Sequence, residues 1–218
     1  MDDAAHLAGT RASYDAIAEQ YAATFRAELD QAPLDRALLS GFAELVQRDH
    51  PAGQVLEVGS GPGTVTAQLH QLGLAVRGID LSPGMVGVAR RDHPHLDFAV
   101  GDMGALDLAD AELAGLVAWY SLVHVPAPQR QSVVAEFSRV LRPGGYLLLA
   151  FQVGDDTLHL DDAFGRAVSL DFHRLQPDGV ADLLEPAGFQ LVARVVKAPE
   201  PTSAATKVPQ GFLVARRA

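Results

Sequence analysis

The sequence predicts a doubly wound α/β fold. From Gln54 to Gln152 short apolar runs alternate with segments of helical period. The run Tyr146-Leu147-Leu148-Leu149-Ala150-Phe151 has no polar alternation, which implies helices on both faces and therefore a parallel sheet. The first run opens onto the glycine-rich turn Gly59-Ser60-Gly61-Pro62-Gly63, at the carboxyl end of a strand, where open parallel sheets bind ligands.

Apolar residues between Ala4 and Arg48 recur at helical spacing, and Pro33 suits a first turn, so two helices precede the sheet. Gln54 to Val58 reads as a strand, Thr64 to Leu72 as a helix and Ala75 to Ile79 as the second strand. Ser82-Pro83 starts a helix to about Arg91, with Ser82 as its cap. Leu96 to Val100 and Leu116 to Ser121 are strands, Gln129 to Leu141 a helix, and Tyr146 to Gln152 a strand after the turn Arg142-Pro143-Gly144-Gly145. Val153 to Gln176 shows no clear period and is long for a structureless loop, so some helix and a place in a pocket wall are expected there. A helix from Pro177 to about Pro186 and strands Phe189 to Val196 and Gly211 to Ala215 close the chain, the strands separated by a Pro-rich stretch from Ala198 to Pro209. One domain is expected, with 1–50 as a helical lid segment, 51–218 as the core and a substrate-facing insertion at about 153–176.

The chain has 218 residues, 48% of them hydrophobic, enough for one full core. Its 17 basic and 27 acidic residues give a net charge of −10, which repels phosphate backbones and anionic membranes; neither nucleic acid nor membrane is expected as a partner. Without cysteine there is no disulfide, thiolate metal site or cysteine nucleophile. The start MDDAAHLAGTRASYD lacks signal-peptide features, and no apolar run approaches the roughly 20 residues that span a bilayer. A cytoplasmic protein, monomer or homodimer, is expected.

The glycine spacing is GxGxG. The dinucleotide fingerprint GxGxxG would place its third glycine at Thr64, so an NAD-linked oxidoreductase is disfavoured. Asp80, about 20 residues beyond the loop at the end of the second strand, is placed to accept from both hydroxyls of a ribose. In Gly101-Asp102-Met103 an acid and a backbone N–H suit the edge of adenine. Glu57 lies within an otherwise apolar strand, where an ionised group needs a compensating partner. Three acids around one site favour a cationic ligand without phosphate.

Val55 to Gly63, Asp80, Gly101-Asp102-Met103 and Leu141-Arg142-Pro143-Gly144-Gly145 resemble, in order and spacing, the successive motifs of the class I S-adenosylmethionine-dependent methyltransferases of small-molecule type. Leu183 to Phe189 and Phe212 to Arg216 are similar to that family's final units. The resemblance implies a Rossmann-like, seven-stranded, mostly parallel sheet with an antiparallel last strand, and S-adenosylmethionine as cofactor, leaving S-adenosylhomocysteine. It implies that Gly59, Ser60, Gly61 and Gly63 receive the methionine end, with Glu57 near its ammonium. Asp80 would hold the ribose, Leu81 and Met85 flank the adenine, and Asp102 with Met103 read its edge. Tyr120 and Ser121 would shape the methionine pocket. The segment Tyr14 to Tyr21 resembles a lid helix that closes over cofactor and acceptor, with both tyrosines on one face.

Displacement at a sulfonium needs a nucleophile held about 3 Å from the methyl group, and no metal. A base is required only if the nucleophile carries a proton of high pKa; His124, just past the fourth strand, is the candidate. His159, Asp161, Asp162, Arg166, His173 and Arg174 lack regular ligand spacing and read as a pocket wall. The function expected is metal-independent methyl transfer to an oxygen or nitrogen, less readily a carbon, of a small-molecule acceptor. The alternatives are a non-methylating or binding protein that keeps the cofactor site, and an NAD-linked oxidoreductase.

Overall fold

The computed structural model of the chain describes residues 3–199 and 207–218. Helices α1 (Asp3–Phe25) and α2 (Pro33–Asp49) precede strand β1 (Gln54–Val58). There follow α3 (Thr64–Gln71), β2 (Ala75–Asp80), α4 (Pro83–Asp92), β3 (Phe98–Val100), β4 (Leu113–Trp119), a 3₁₀ turn at Leu122–His124, α5 (Ala127–Val140) and β5 (Leu141–Gln152). Beyond β5 come β6 (Thr157–Ala163), β7 (Arg166–His173), α6 (Pro177–Leu184), β8 (Phe189–Lys197) and β9 (Gln210–Arg217).

Seven strands form one sheet in the order β3-β2-β1-β4-β5-β9-β8. The β1, β2, β3, β4 and β5 pairings are parallel, and β9 runs antiparallel to both β5 and β8. The seven-stranded sheet with a reversed last strand is therefore as expected. The apolar runs serve two layers at once. Val55, Val117, Tyr146, Leu148 and Val214 pack with Phe42 and Val46 of α2. Their neighbours Leu56, Leu116, Leu147 and Leu149 pack with Phe137 of α5 and Val180 of α6. Side chains alternate across a strand, so a run apolar at every position marks burial on both faces.

Two expectations fail. The strand expected from Tyr146 begins at Leu141, so the turn expected at Arg142-Pro143-Gly144-Gly145 is an irregular start of β5, where the register against β4 shifts and Gly144 takes φ 78°. Residues 153–176 contain no helix: β6 and β7 pair as an antiparallel hairpin, with Phe164 and Gly165 at its tip in the left-handed region (φ 55° and 71°). The period-two pattern Val168, Leu170, Phe172 signals the second strand. The bulge between Leu160 and Asp162 breaks the matching pattern in the first. Of the Pro-rich stretch 198–209, residues 200–206 lie outside the described residues. Among the described residues no helix is long and apolar enough to cross a membrane.

Helix α1 is fixed to three neighbours by three consecutive residues. Ser13 Oγ accepts from the Ser169 amide of β7 (2.8 Å), Tyr14 meets His124 in the 3₁₀ turn (2.7 Å), and Asp15 Oδ1 accepts from Ser82 Oγ (2.6 Å) and the Gly84 amide (2.8 Å). Ser82 caps α4 as expected, its Oγ accepting from the Met85 amide at 3.0 Å, while its own proton goes to Asp15. Both uses of one hydroxyl are lost in Ser82→Ala, which should cost about 1–2 kcal/mol in urea unfolding. An unchanged unfolding midpoint would contradict this account of how α1 is held.

Candidate functional site

The loop after β1 turns back on itself through three glycines at positive φ (67° at Gly59, 53° at Gly61, 87° at Gly63). Two of them are also required by packing. A Cβ at Gly59 would lie 2.3 Å from Ser121 Cβ, and one at Gly63 would lie 2.6 Å from Phe98 Cζ. At Gly61 the same Cβ would meet nothing within 4 Å. The loop therefore presses against the protein at its ends and faces open space at its centre, the place for a ligand to reach backbone. Ser60 is buried, its amide donating to the Ile79 carbonyl (2.9 Å), and its Oγ has no partner among the described residues. Ser121 donates its hydroxyl to the Val58 carbonyl at 2.8 Å, tying the end of β4 to the start of the loop.

Beneath the loop lie two carboxyl groups with no cationic partner among the described residues. Glu57 is 2% exposed; Thr66 Oγ1, one turn into α3, donates to its Oε2, and burial pushes its pKa up to about 8. Asp80, also buried, accepts from the Gly61 amide at Oδ2 (2.7 Å) and from the Ser82 amide at Oδ1 (2.8 Å). Burial raises its pKa despite these two donors. A carboxylate has about four acceptor positions, so each Asp80 oxygen can take one further donor. Asp102 is partly exposed and uses Oδ1 to accept from the Gly104 amide (2.8 Å), an ordinary turn bond.

Of the other expected residues, Tyr120 stands apart. Met103 Cε lies 3.7 Å from where a Gly59 Cβ would be. Leu81 directly follows Asp80 and is half-buried. Met85 is buried against Ala18 and Ala22 of α1, with Tyr14 and Tyr21 beside it. Tyr120 is held at φ 55°, and its ring packs on Trp119 and Phe212 toward β9.

His124 makes contacts that fix its protonation. Nδ1 lies 2.8 Å from the Asp171 carbonyl, which can only accept, so Nδ1 carries the proton. Nε2 then accepts from the Tyr14 hydroxyl at 2.7 Å. Burial lowers the His124 pKa to about 4, so the ring is neutral near pH 7. Burial likewise holds the Tyr14 and Tyr21 phenols above their ordinary range. Tyr21 stands edge-on to Tyr14 and lies tilted against Phe25, ring centroids 4.5 Å apart. Thr66, Asp15 and Asp171 were not expected at this site; only the fold brings them to it. His159 is held by Asp161 (3.0 Å) and Asp171 (2.7 Å), its two ring nitrogens each taken by a different carboxylate, and among the described residues no group of three or more His, Asp or Glu side chains is arranged to hold a metal ion.

Residues 55–145, which carry the loop, both buried acids and the 3₁₀ turn, match the family model of the methyltransferase domain. This segment is a class I methyltransferase domain. The domain is 37% identical over 100 residues to the demethylmenaquinone methyltransferase of Renibacterium salmoninarum, covering 46% of this chain and 41% of that protein. It is 32% identical over 115 residues to the malonyl-[acyl-carrier protein] O-methyltransferase of Serratia marcescens, covering 53% and 44%. The chain thus spans less than half the length of these curated relatives. The DhpI–SAH complex superposes with a TM-score of 0.75 at 21% identity, covering 99% of this chain and 98% of that one, so the two share a fold.

In the methyltransferase domain the raised pKa of Glu57 gives stability a pH dependence. Between its unfolded value of 4.5 and about 8 the folded chain holds a proton that the unfolded chain has released. Stability therefore falls as pH rises through that window. Glu57→Gln removes the effect and should lose less stability than wild type between pH 5 and pH 8, by a difference on the order of a few kcal/mol in urea unfolding. Parallel curves for the two proteins would contradict the burial of an uncompensated carboxyl.

Proposed function

We propose that the chain is an S-adenosylmethionine-dependent methyltransferase acting on an oxygen or nitrogen of a small-molecule acceptor without a metal ion. The carrying observation is the pair Glu57 and Asp80, buried at a glycine loop whose centre is open and facing no cation among the described residues. A buried carboxyl is costly unless a charge or donors meet it. A ligand bringing an ammonium and a sulfonium supplies the charge, and its ribose hydroxyls supply the donors.

In this reading the backbone of Gly59, Ser60, Gly61 and Gly63 receives the methionine end, with Glu57 near the ammonium and Ser121 holding the loop in shape. Asp80 keeps its two amide bonds and takes the ribose hydroxyls on its remaining lone pairs. Leu81 and Met85 flank the adenine, whose edge meets Asp102 and Met103. Tyr14 and Tyr21 on α1 cover the site, residues 1–50 acting as a lid on the core formed by 51–218, and the β6–β7 hairpin forms the wall opposite. Tyr120 borders the methionine pocket through its backbone, since its ring is directed toward β9. The similarity to a demethylmenaquinone methyltransferase supports a small-molecule acceptor.

When bound, S-adenosylmethionine supplies an activated methyl group. The chain's part is to orient the acceptor, exclude water under α1 and receive a proton; His124, neutral and with Nε2 pointing at Tyr14, is the base.

Calorimetry should show micromolar binding of S-adenosylmethionine or S-adenosylhomocysteine and none of NADH. Asp80→Ala removes the acceptors of two ribose hydroxyls and should weaken binding about hundredfold. Binding of NADH alone would favour an oxidoreductase. Cofactor binding with no transfer to any acceptor would favour a binding protein.

A further inference from the structure

We infer that Tyr14 takes the acceptor's proton while passing its own to His124, and that the acceptor is therefore a hydroxyl compound. The inference rests on the methyltransferase reading above and narrows it. It starts from the two nitrogens of one ring. His124 Nδ1–H is spent on the Asp171 carbonyl (2.8 Å) and Nε2 is filled by the Tyr14 hydroxyl (2.7 Å). With α1 in place, the ring has no lone pair left for an incoming acceptor. What the pair presents is the phenol oxygen of Tyr14, which already donates its proton and can still accept one hydrogen bond.

That oxygen is held in position from both sides along the chain. Ser13 is bonded to Ser169 and Asp15 to Ser82 and Gly84. The imidazole is held by Phe172, edge-on at 4.7 Å, and by the Asp171 carbonyl. A relay with both members fixed needs no reorganisation when the proton moves.

The fixed relay itself selects oxygen. An amine attacks with a free lone pair and can shed its proton to water after transfer, so it needs no positioned proton acceptor, whereas a hydroxyl must lose its proton for the ether to form. The low basicity of the buried imidazole agrees with this, being too weak to ionise a carbon acid in advance. An alcohol or phenol oxygen becomes strongly acidic only as its new bond to carbon forms, and at that moment a weak base suffices. The step balances. The carbon–sulfur bond breaks with its electron pair remaining on sulfur, and an oxygen lone pair forms the carbon–oxygen bond. The acceptor's proton passes to Tyr14 Oη and the Tyr14 proton to His124 Nε2. The positive charge that began on sulfur ends on the imidazolium, whose low pKa releases the proton once α1 opens to water.

The test uses the full chain, labelled S-adenosylmethionine and a panel of phenols and alcohols alongside their amine counterparts. Transfer is expected to hydroxyl members of the panel. Tyr14→Phe should lower kcat at least about hundredfold with KM little changed, and should abolish the solvent deuterium isotope effect on kcat. S-adenosylhomocysteine affinity by calorimetry should fall far less than kcat in that variant, by under about tenfold, because the ring that covers the site remains. In the ligand-free protein, nitrogen NMR should show His124 protonated at Nδ1, with an Nε2 signal that moves in Tyr14→Phe. Transfer to amines alone, transfer to no hydroxyl compound, or a Tyr14→Phe rate within threefold of wild type would overturn the relay. Failure of the wild type to bind S-adenosylhomocysteine would overturn the methyltransferase reading beneath it.

Discussion

Two carboxyl groups buried under one loop, with no cation beside them among the described residues, constrain the rest of this site. Glu57 and Asp80 sit at the ends of adjacent strands; Asp80 raises the proton affinity of Glu57 beyond what burial does alone, and Asp15 does the same for Asp80. The fold offsets part of that cost with three donors: Thr66 for Glu57, and the Gly61 and Ser82 amides for Asp80. Those donors also set the loop. The glycines are in place because Asp80 holds Gly61 from below while Ser121 and Phe98 leave no room for a side chain at Gly59 and Gly63. The part of the electrostatic cost left over is what a cationic ligand can remove, which couples affinity to the same residues that shape the pocket.

The second constraint is helix α1. Three successive residues on a helix point in three directions about 100° apart. Ser13, Tyr14 and Asp15 use this to reach the hairpin, the 3₁₀ turn and α4 at once. Helix α1 is thereby tied to the Asp80 end of the site through Ser82, two residues along, and to the 3₁₀ turn through His124. A movement of α1 that breaks one of these ties loosens the other, so under the proposed function one element would govern access to both cofactor and acceptor.

The alternating strands and helices were legible because burial on both faces writes a continuous apolar run, as at Tyr146 to Phe151, and because Ser82-Pro83 carries its own start signal. The positions of Glu57 and Asp80 were legible as polar interruptions at strand ends. The hairpin was not. Its first strand carries two successive acids, Asp161 and Asp162, at a bulge that breaks the period of two, and its mostly exposed surface leaves little apolar pattern to read. The Tyr14–His124 contact joins residues 110 positions apart, and the partner that sets the tautomer is a backbone carbonyl, which no side-chain identity reveals. Glycine spacing also carried less about ligands than it suggested, since two of the three glycines answer to Ser121 and Phe98.

The claim that the ligand's positive charge completes the site is tested most directly by counting protons. Glu57, with its pKa near 8, is mostly protonated at pH 7, and a cation beside it draws the pKa down. Calorimetric titration of S-adenosylmethionine at pH 7, repeated in buffers of differing ionisation enthalpy, should show release of close to one proton per ligand bound. Glu57→Gln should release none. Heats independent of the buffer, or equal proton release by wild type and Glu57→Gln, would contradict the account.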